Sequence, residues 1–120
     1  LIVKPAEGIS TRLLFSALTP PYDKSRSEHA ADAIRAGDIN ALAAAVSNGL
    51  AKAAEKELGR IAEIKRRLKS AGALASEMSG SGSACFGIFK TMAQAQRAAE
   101  NFRDMAFCHA CAGIGNAEQM

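Results

Sequence analysis

An α+β fold with the element order β-α-β-β-α-β and a long, multi-helix first crossover is predicted by three features of this 120-residue sequence. A β-branched run, Leu1-Ile2-Val3-Lys4, is stopped by Pro5. Two short β-rich runs, Ala73 to Met78 and Ala84 to Lys90, flank the loop Ser79-Gly80-Ser81-Gly82-Ser83, which makes them a hairpin. Between them, Leu50, Ala54, Leu58, Ile61, Ile64 and Leu68 recur at the three-and-four spacing of one helical face.

The elements follow in order. After the first strand, Ser10 caps a short helix over Thr11 to Leu18, which Pro20-Pro21 ends. Tyr22 to Ser27 reads as a loop. Ser27 then caps a helix over Glu28 to Ala36, closed by Gly37, and Asp38 caps another running towards Val46. The long amphipathic stretch is expected as one helix from Leu50 to Ala71, with Lys52, Lys56, Arg60 and Arg67 on its wet side and Gly72 as its stop. Beyond the hairpin come a helix over Met92 to Arg103 and a strand over Phe107 to Ala112. Right-handed crossovers then give an antiparallel-rich sheet with helices on one face, the split β-α-β plan called ferredoxin-like. Residues 1–112 form one domain, and residues 113–120 a tail with little to bury.

Composition narrows the function classes. With 48% hydrophobic and 22% charged residues and no apolar run near the ~20 residues of a membrane span, the chain is an ordinary globular domain with no membrane partner. The formal charge of +3 is concentrated in Lys65-Arg66-Arg67-Leu68-Lys69, without interleaved aromatics, which argues against nucleic acid and reads as a solvated helix face. Three cysteines and no secretory leader fit a reduced, cytoplasmic setting. Cys108-His109-Ala110-Cys111 lacks a second pair to complete a metal site. On a strand, its two thiols would face opposite ways, so buried or edge thiols are expected. The start at Leu1, inside a strand and without methionine, reads as a piece of something larger.

The serine and glycine loop is the candidate site. Glycine permits φ > 0 and close approach of the backbone, and serine adds neutral donors, a combination suited to phosphate. An ordinary tight turn is the alternative. No lysine follows Gly82, so the loop is not a Walker motif, and Cys85 stands where a dinucleotide fingerprint needs its third glycine. Thr11 and Phe15 lie one turn apart and share a helix face. Phe15 is either core, packed with Leu18, or one wall of a ligand site.

The loop Met78-Ser79-Gly80-Ser81-Gly82 followed by Phe86-Gly87-Ile88-Phe89 resembles the third motif of the GHMP kinases, the galactose, homoserine, mevalonate and phosphomevalonate kinases. Lys4-Pro5-Ala6-Glu7-Gly8-Ile9-Ser10-Thr11, Asn48-Gly49-Leu50 and Leu68-Lys69-Ser70-Ala71-Gly72-Ala73 are similar, in order and spacing, to the branch acting on 4-diphosphocytidyl-2-C-methyl-D-erythritol. The resemblance runs from about Val3 to Phe89 and covers only the C-terminal domain of that family.

It implies phosphorylation of the substrate 2-hydroxyl by ATP with Mg2+, a step of non-mevalonate isoprenoid synthesis. The catalytic aspartate and lysine and the ATP loop belong to an N-terminal domain absent from this sequence, so the fragment alone is expected to bind no cofactor and to be inactive. Its implied partners are that domain and a cytidyl substrate. Ser79, Gly80, Ser81, Gly82 and Ser83 match the loop that closes the cleft opposite the ATP phosphates, and Phe15, with Thr11 beside it, matches the aromatic that stacks on cytosine. Gly49 departs from the pattern, standing where an acidic residue is usual, and Pro20 to Ser27 have no match. Another GHMP kinase of the homoserine or mevalonate type is the alternative within the family. A stand-alone regulatory module is the alternative outside it, although about sixty residues of first crossover are long for one. An apolar surface left by a missing neighbour would allow the fragment to dimerise.

Overall fold

The computed structural model describes residues 1–16 and 25–113; Leu18, Pro20-Pro21, Tyr22 and the tail beyond Gly113 lie outside the described residues. The elements are β1 (Ile2–Lys4), α1 (Thr11–Ser16), α2 (Ser25–Ala36), α3 (Ile39–Ala45), α4 (Ala51–Glu57), α5 (Arg60–Ser70), β2 (Ala75–Met78), β3 (Cys85–Ile88), α6 (Met92–Ala99) and β4 (Phe107–His109). The four strands lie in the order β2-β3-β1-β4, and each neighbouring pair is antiparallel. β1 and β2 therefore run the same way with β3 between them, and β3 and β4 run the same way with β1 between them. Two interleaved β-α-β crossovers produce this arrangement.

Register explains which face is core. Met78 pairs with Cys85, Cys85 with Val3, and Val3 with Cys108, so one row of side chains crosses the whole sheet. Met78, Cys85 and Val3 are buried in the hydrophobic cluster, and Cys108 packs against it. The next row, Glu77, Phe86, Ile2 and His109, points the other way, and none of its members is buried. The period of two in a strand enforces this alternation. α5 covers the buried face of β2 and β3 with Ile61, Ile64 and Leu68, each fully buried. A Cβ on Gly87 would come within 3.0 Å of Leu68 Cδ2 and 3.3 Å of Ala73 Cβ, so the bare backbone there lets helix and strand approach closely. The helices are not confined to that face as expected, because Ile39 and Leu42 of α3 wall a groove of about 520 Å³ with Phe86 and Ile88 on the opposite side.

Three expectations needed correction. The long stripe is not one helix: Leu58 is extended (φ −140°, ψ 96°) and Gly59 opens α5. A straight helix over that stretch would be about 33 Å long, and the break at Leu58-Gly59 lets α4 fold back while Leu50 and Ala54 stay in the same core as Ile61 to Leu68. α2 starts at Ser25, so Ser27 lies in its first turn instead of capping it. The last helix tightens after Ala99 into a 3₁₀ turn, Glu100–Phe102, which delivers the fully buried Phe102 ring to the core. Arg67 lies over that ring, with its guanidinium carbon 4.7 Å from the centroid, and bonds Asp104 (3.0 Å) and the Asn101 carbonyl. The Arg67 hydrogen bond holds the Asp104 carboxyl below its ordinary range.

Several predicted caps are present. Ser10 Oγ accepts from Leu13 N at 3.4 Å, Asp38 Oδ1 from Ala41 N at 3.0 Å, and Gly72 ends α5 with φ +108°.

β4 covers Phe107–His109, shorter than the expected Phe107 to Ala112, and pairs with Ile2 to Lys4 of β1. Cys111 therefore lies beyond the ladder and is exposed, while Cys108 is half-buried. Cys85 is buried, and burial pushes its thiol up to about 11 despite the nearby Lys65 ammonium. Thiol labelling at pH 8 is expected to take Cys111 first, Cys108 more slowly, and Cys85 only on unfolding, because the thiolate is the reacting form. Mass spectrometry of partly labelled protein would show the order; early labelling of Cys85 would contradict its burial.

Candidate functional site

The predicted loop is the tip of the β2–β3 hairpin. Ser79 N donates to Ala84 O (2.8 Å) and Gly82 N to Ser79 O (3.0 Å), closing a tight turn with Gly80 at φ +55° and Gly82 at φ +80°. The Gly82–Ser83 peptide is cis. A Cβ on Gly82 would lie 2.7 Å from Met78 Sδ, so both the backbone angle and the space call for glycine. The N–H groups of Gly80 and Ser81 make no hydrogen bond among the described residues.

One side chain of the tip and two from elsewhere hold it in place. Ser83, almost fully buried, donates its hydroxyl to the Glu7 carbonyl at 2.6 Å, tying the hairpin to the segment between β1 and α1. Thr11 Oγ1 donates to Ser81 Oγ at 3.2 Å. Asn48, from the turn between α3 and α4, donates Nδ2 to Met78 O (2.7 Å) and Gly80 O (2.8 Å), while its Oδ1 accepts from Leu50 N (2.9 Å). The predicted residues Thr11, Ser81 and Ser83 therefore come together across long stretches of chain. Phe15 is 56% exposed and is not core. Its ring borders a cleft of about 530 Å³ whose other walls are Ser47 to Leu50, Met78 to Ser81 and Phe86. Of the predicted residues, Thr11, Gly82 and Ser83 are not among those that line this cleft.

Asn48 and Phe86 are the site residues that reasoning from chemistry missed. The only signal for Asn48 was its place in the Asn48-Gly49-Leu50 motif. Nothing in a single asparagine says that two carbonyls thirty residues away will meet it.

No charged side chain is among the described residues lining the cleft. Two carboxylates on the segments that meet at the tip are engaged by cations, Glu7 with Arg60 (3.2 Å) and Glu77 with Lys65 (3.0 Å). Lys65 also meets Glu55 at 2.9 Å; burial opposes its charge, yet these two carboxylates leave its pKa raised. The cleft thus offers hydroxyls, two backbone N–H groups without a partner among the described residues, and two aromatic rings, while the Asn48 carboxamide is taken up by the tip and by Leu50 N. That set suits a neutral ring with an attached phosphate, since neutral donors accept an anion without a competing salt bridge. It lacks the carboxylate oxygens a divalent cation needs. No helix among the described residues is long and apolar enough to cross a membrane.

Comparison with known proteins agrees with this geometry. Residues 30–106 match the family described as GHMP kinases C terminal. The 4-diphosphocytidyl-2-C-methyl-D-erythritol kinase of Pelotomaculum thermopropionicum is 34% identical over 105 residues, covering 86% of this chain and 37% of that protein. The enzyme of the same name from Acetivibrio thermocellus is 39% identical over 106 residues, covering 87% and 38%. A crystal structure of 4-(cytidine 5'-diphospho)-2C-methyl-D-erythritol kinase superposes with a TM-score of 0.69 at 28% identity, over 87% of this chain and 38% of that one. The chain spans little more than a third of the length of these relatives. A four-stranded antiparallel sheet with a glycine-rich hairpin tip, and a family match over most of its length, show that the chain belongs to the GHMP kinases and carries their C-terminal domain.

Proposed function

We propose that this domain forms the substrate-side wall of a kinase that transfers the ATP γ-phosphoryl group to the 2-hydroxyl of 4-diphosphocytidyl-2-C-methyl-D-erythritol. The observation that carries the reading is the meeting, in one uncharged cleft, of the exposed Phe15 ring with the free N–H groups of Gly80 and Ser81. Phe15 stacks on the cytosine, Ser79 to Ser81 face the phosphates, and Thr11 and Ser83 hold that tip from outside the cleft. A zwitterionic amino-acid acceptor would call for charged partners, and none lines the cleft among the described residues. The names of the relatives support the same acceptor.

Phosphoryl transfer asks a protein mainly for orientation and charge stabilisation, and this domain supplies orientation. Its neutral donors fit a phosphate oxygen. They do not fit Mg2+, whose ligands must come from the remainder of a longer polypeptide, as must the groups that bind ATP and activate the hydroxyl. The 120-residue chain alone is therefore expected to show no kinase activity. Its setting in this reading is the cytoplasm, where the cysteines remain free thiols.

Titrating the isotope-labelled chain with cytidine 5'-diphosphate tests the cleft. Amide shifts centred on Thr11, Phe15, Gly80 and Ser81 support the reading, and shifts elsewhere or none at all count against it. In the longer polypeptide, Phe15→Ala removes a stacking partner worth about 1 to 3 kcal/mol. The KM for the cytidyl substrate should rise roughly tenfold or more, with the KM for ATP unchanged; equal rises in both would sink the stacking role.

A further inference from the structure

We infer that Asn48 is the positioning residue of the hairpin tip, fixing the backbone of Gly80 and Ser81 through its carboxamide. Both Nδ2 hydrogens are used, one on Met78 O and one on Gly80 O, and Oδ1 takes the Leu50 N–H. This pattern sets the amide orientation, since only nitrogen can donate to two carbonyls and only oxygen can accept from a backbone N–H. The two acceptors lie on either side of Ser79, so a single planar group spans the entry to the turn. Leu50 N and Ala51 N both bond Asn48, to its side chain and its carbonyl respectively, which anchors the carboxamide to the start of α4. α4 carries buried Ala51 and Ala54, so the tip is referenced to the core and not to a mobile loop. The other tethers act further along: Ser83 holds the base of the tip and Thr11 meets only the Ser81 side chain. Glu77 Oε1 also accepts from Met78 N (2.9 Å), but Asn48 alone among the described side chains bonds the backbone within Ser79 to Ser81.

Asn48→Asp is the discriminating variant. It keeps the acceptor for Leu50 N and the shape of the side chain, but turns a lone-pair oxygen towards two carbonyls. At pH 7.5, the Gly80 and Ser81 amide resonances are expected to move, and hydrogen-exchange protection at Ser79 and Gly82 to fall by about tenfold. Lowering the pH protonates the introduced carboxyl, which regains one donor, so these resonances should return part of the way towards the wild-type positions. Wild type serves as the control for the native carboxyls of Glu7, whose carbonyl holds Ser83, and of Glu77, which accepts from Met78 N. A role confined to general stability would not make loop resonances follow one carboxyl. Asn48→Ala, checked for folding by circular dichroism, should move the same amides without pH dependence. Unmoved Gly80 and Ser81 amides in either folded variant, or shifts in Asn48→Asp that ignore pH, would overturn the assignment.

The consequence for ligand rests on the cleft reading: Asn48→Asp at pH 7.5 should weaken cytidine 5'-diphosphate by about tenfold. A wild-type chain that ignores this ligand removes the cleft reading only, because the loop amides report positioning without it.

Discussion

Phe102→Ala is expected to lower the stability of the domain by about 3 to 5 kcal/mol, a typical range for an aromatic lost from a packed core. The ring has no exposed surface and sits where the 3₁₀ turn after α6 meets the cluster built on α5 and the sheet. Two losses combine. The cluster the ring belongs to is drawn from different elements, which cannot all close on the cavity left behind. Arg67 also loses the ring face it covers, which weakens the hold of α5 on Asn101 and Asp104. Domains of this size are stable by about 5 to 15 kcal/mol in total, so the variant should melt more than about 10 °C lower. Calorimetry of the two proteins would measure this. A shift of only a few degrees would mean that the 3₁₀ turn repacks independently of the core. Arg67→Ala, which removes the cover and leaves the ring, should cost far less.

Gly82→Val is expected to disable the cleft and also to weaken the fold, a heavier result than the tight-turn motif alone suggests. At φ +80° a β-branched residue is strained by about 1 to 3 kcal/mol. Its Cβ would also meet Met78 Sδ at 2.7 Å and Ile9 Cδ1 at 3.6 Å. Met78 is almost fully buried, so its thioether can yield only by disturbing the core. In the longer polypeptide, the displaced tip should reduce kinase turnover by roughly a hundredfold, the scale of a 1 Å misplacement near reacting groups. Gly80→Ala provides the comparison: it pays the same left-handed backbone cost at φ +55°, but its Cβ meets nothing within 4 Å. If Gly80→Ala and Gly82→Ala prove equally destabilising in urea, the Met78 contact carries no weight and Gly82 matters for its backbone angle alone.

The order of elements was legible in the sequence because each signal is local. Pro5 ends β1, Asp38 caps α3, Gly72 closes α5, and the period of two in the hairpin separates Met78 and Cys85 from Glu77 and Phe86. The Ser79 to Ser83 loop was equally legible, since only glycine takes the angles found at Gly80 and Gly82 without strain. Family resemblance added Thr11 and Phe15, which their own chemistry left undecided between core and cleft.

Only the tertiary structure decided the rest. Leu58 continues the apolar stripe, so periodicity alone does not reveal the break at Leu58-Gly59. Phe15 lies outside the core because the hydrophobic cluster closes around Leu14, its neighbour in α1. The role of Asn48 arises where a turn between two helices meets a hairpin thirty residues later. Propensity, capping and alternation act over a few residues and can be read along the chain. Hydrogen bonds and packing between distant segments depend on where the backbone has already gone, and they alone turned a glycine-rich turn into one wall of a cleft.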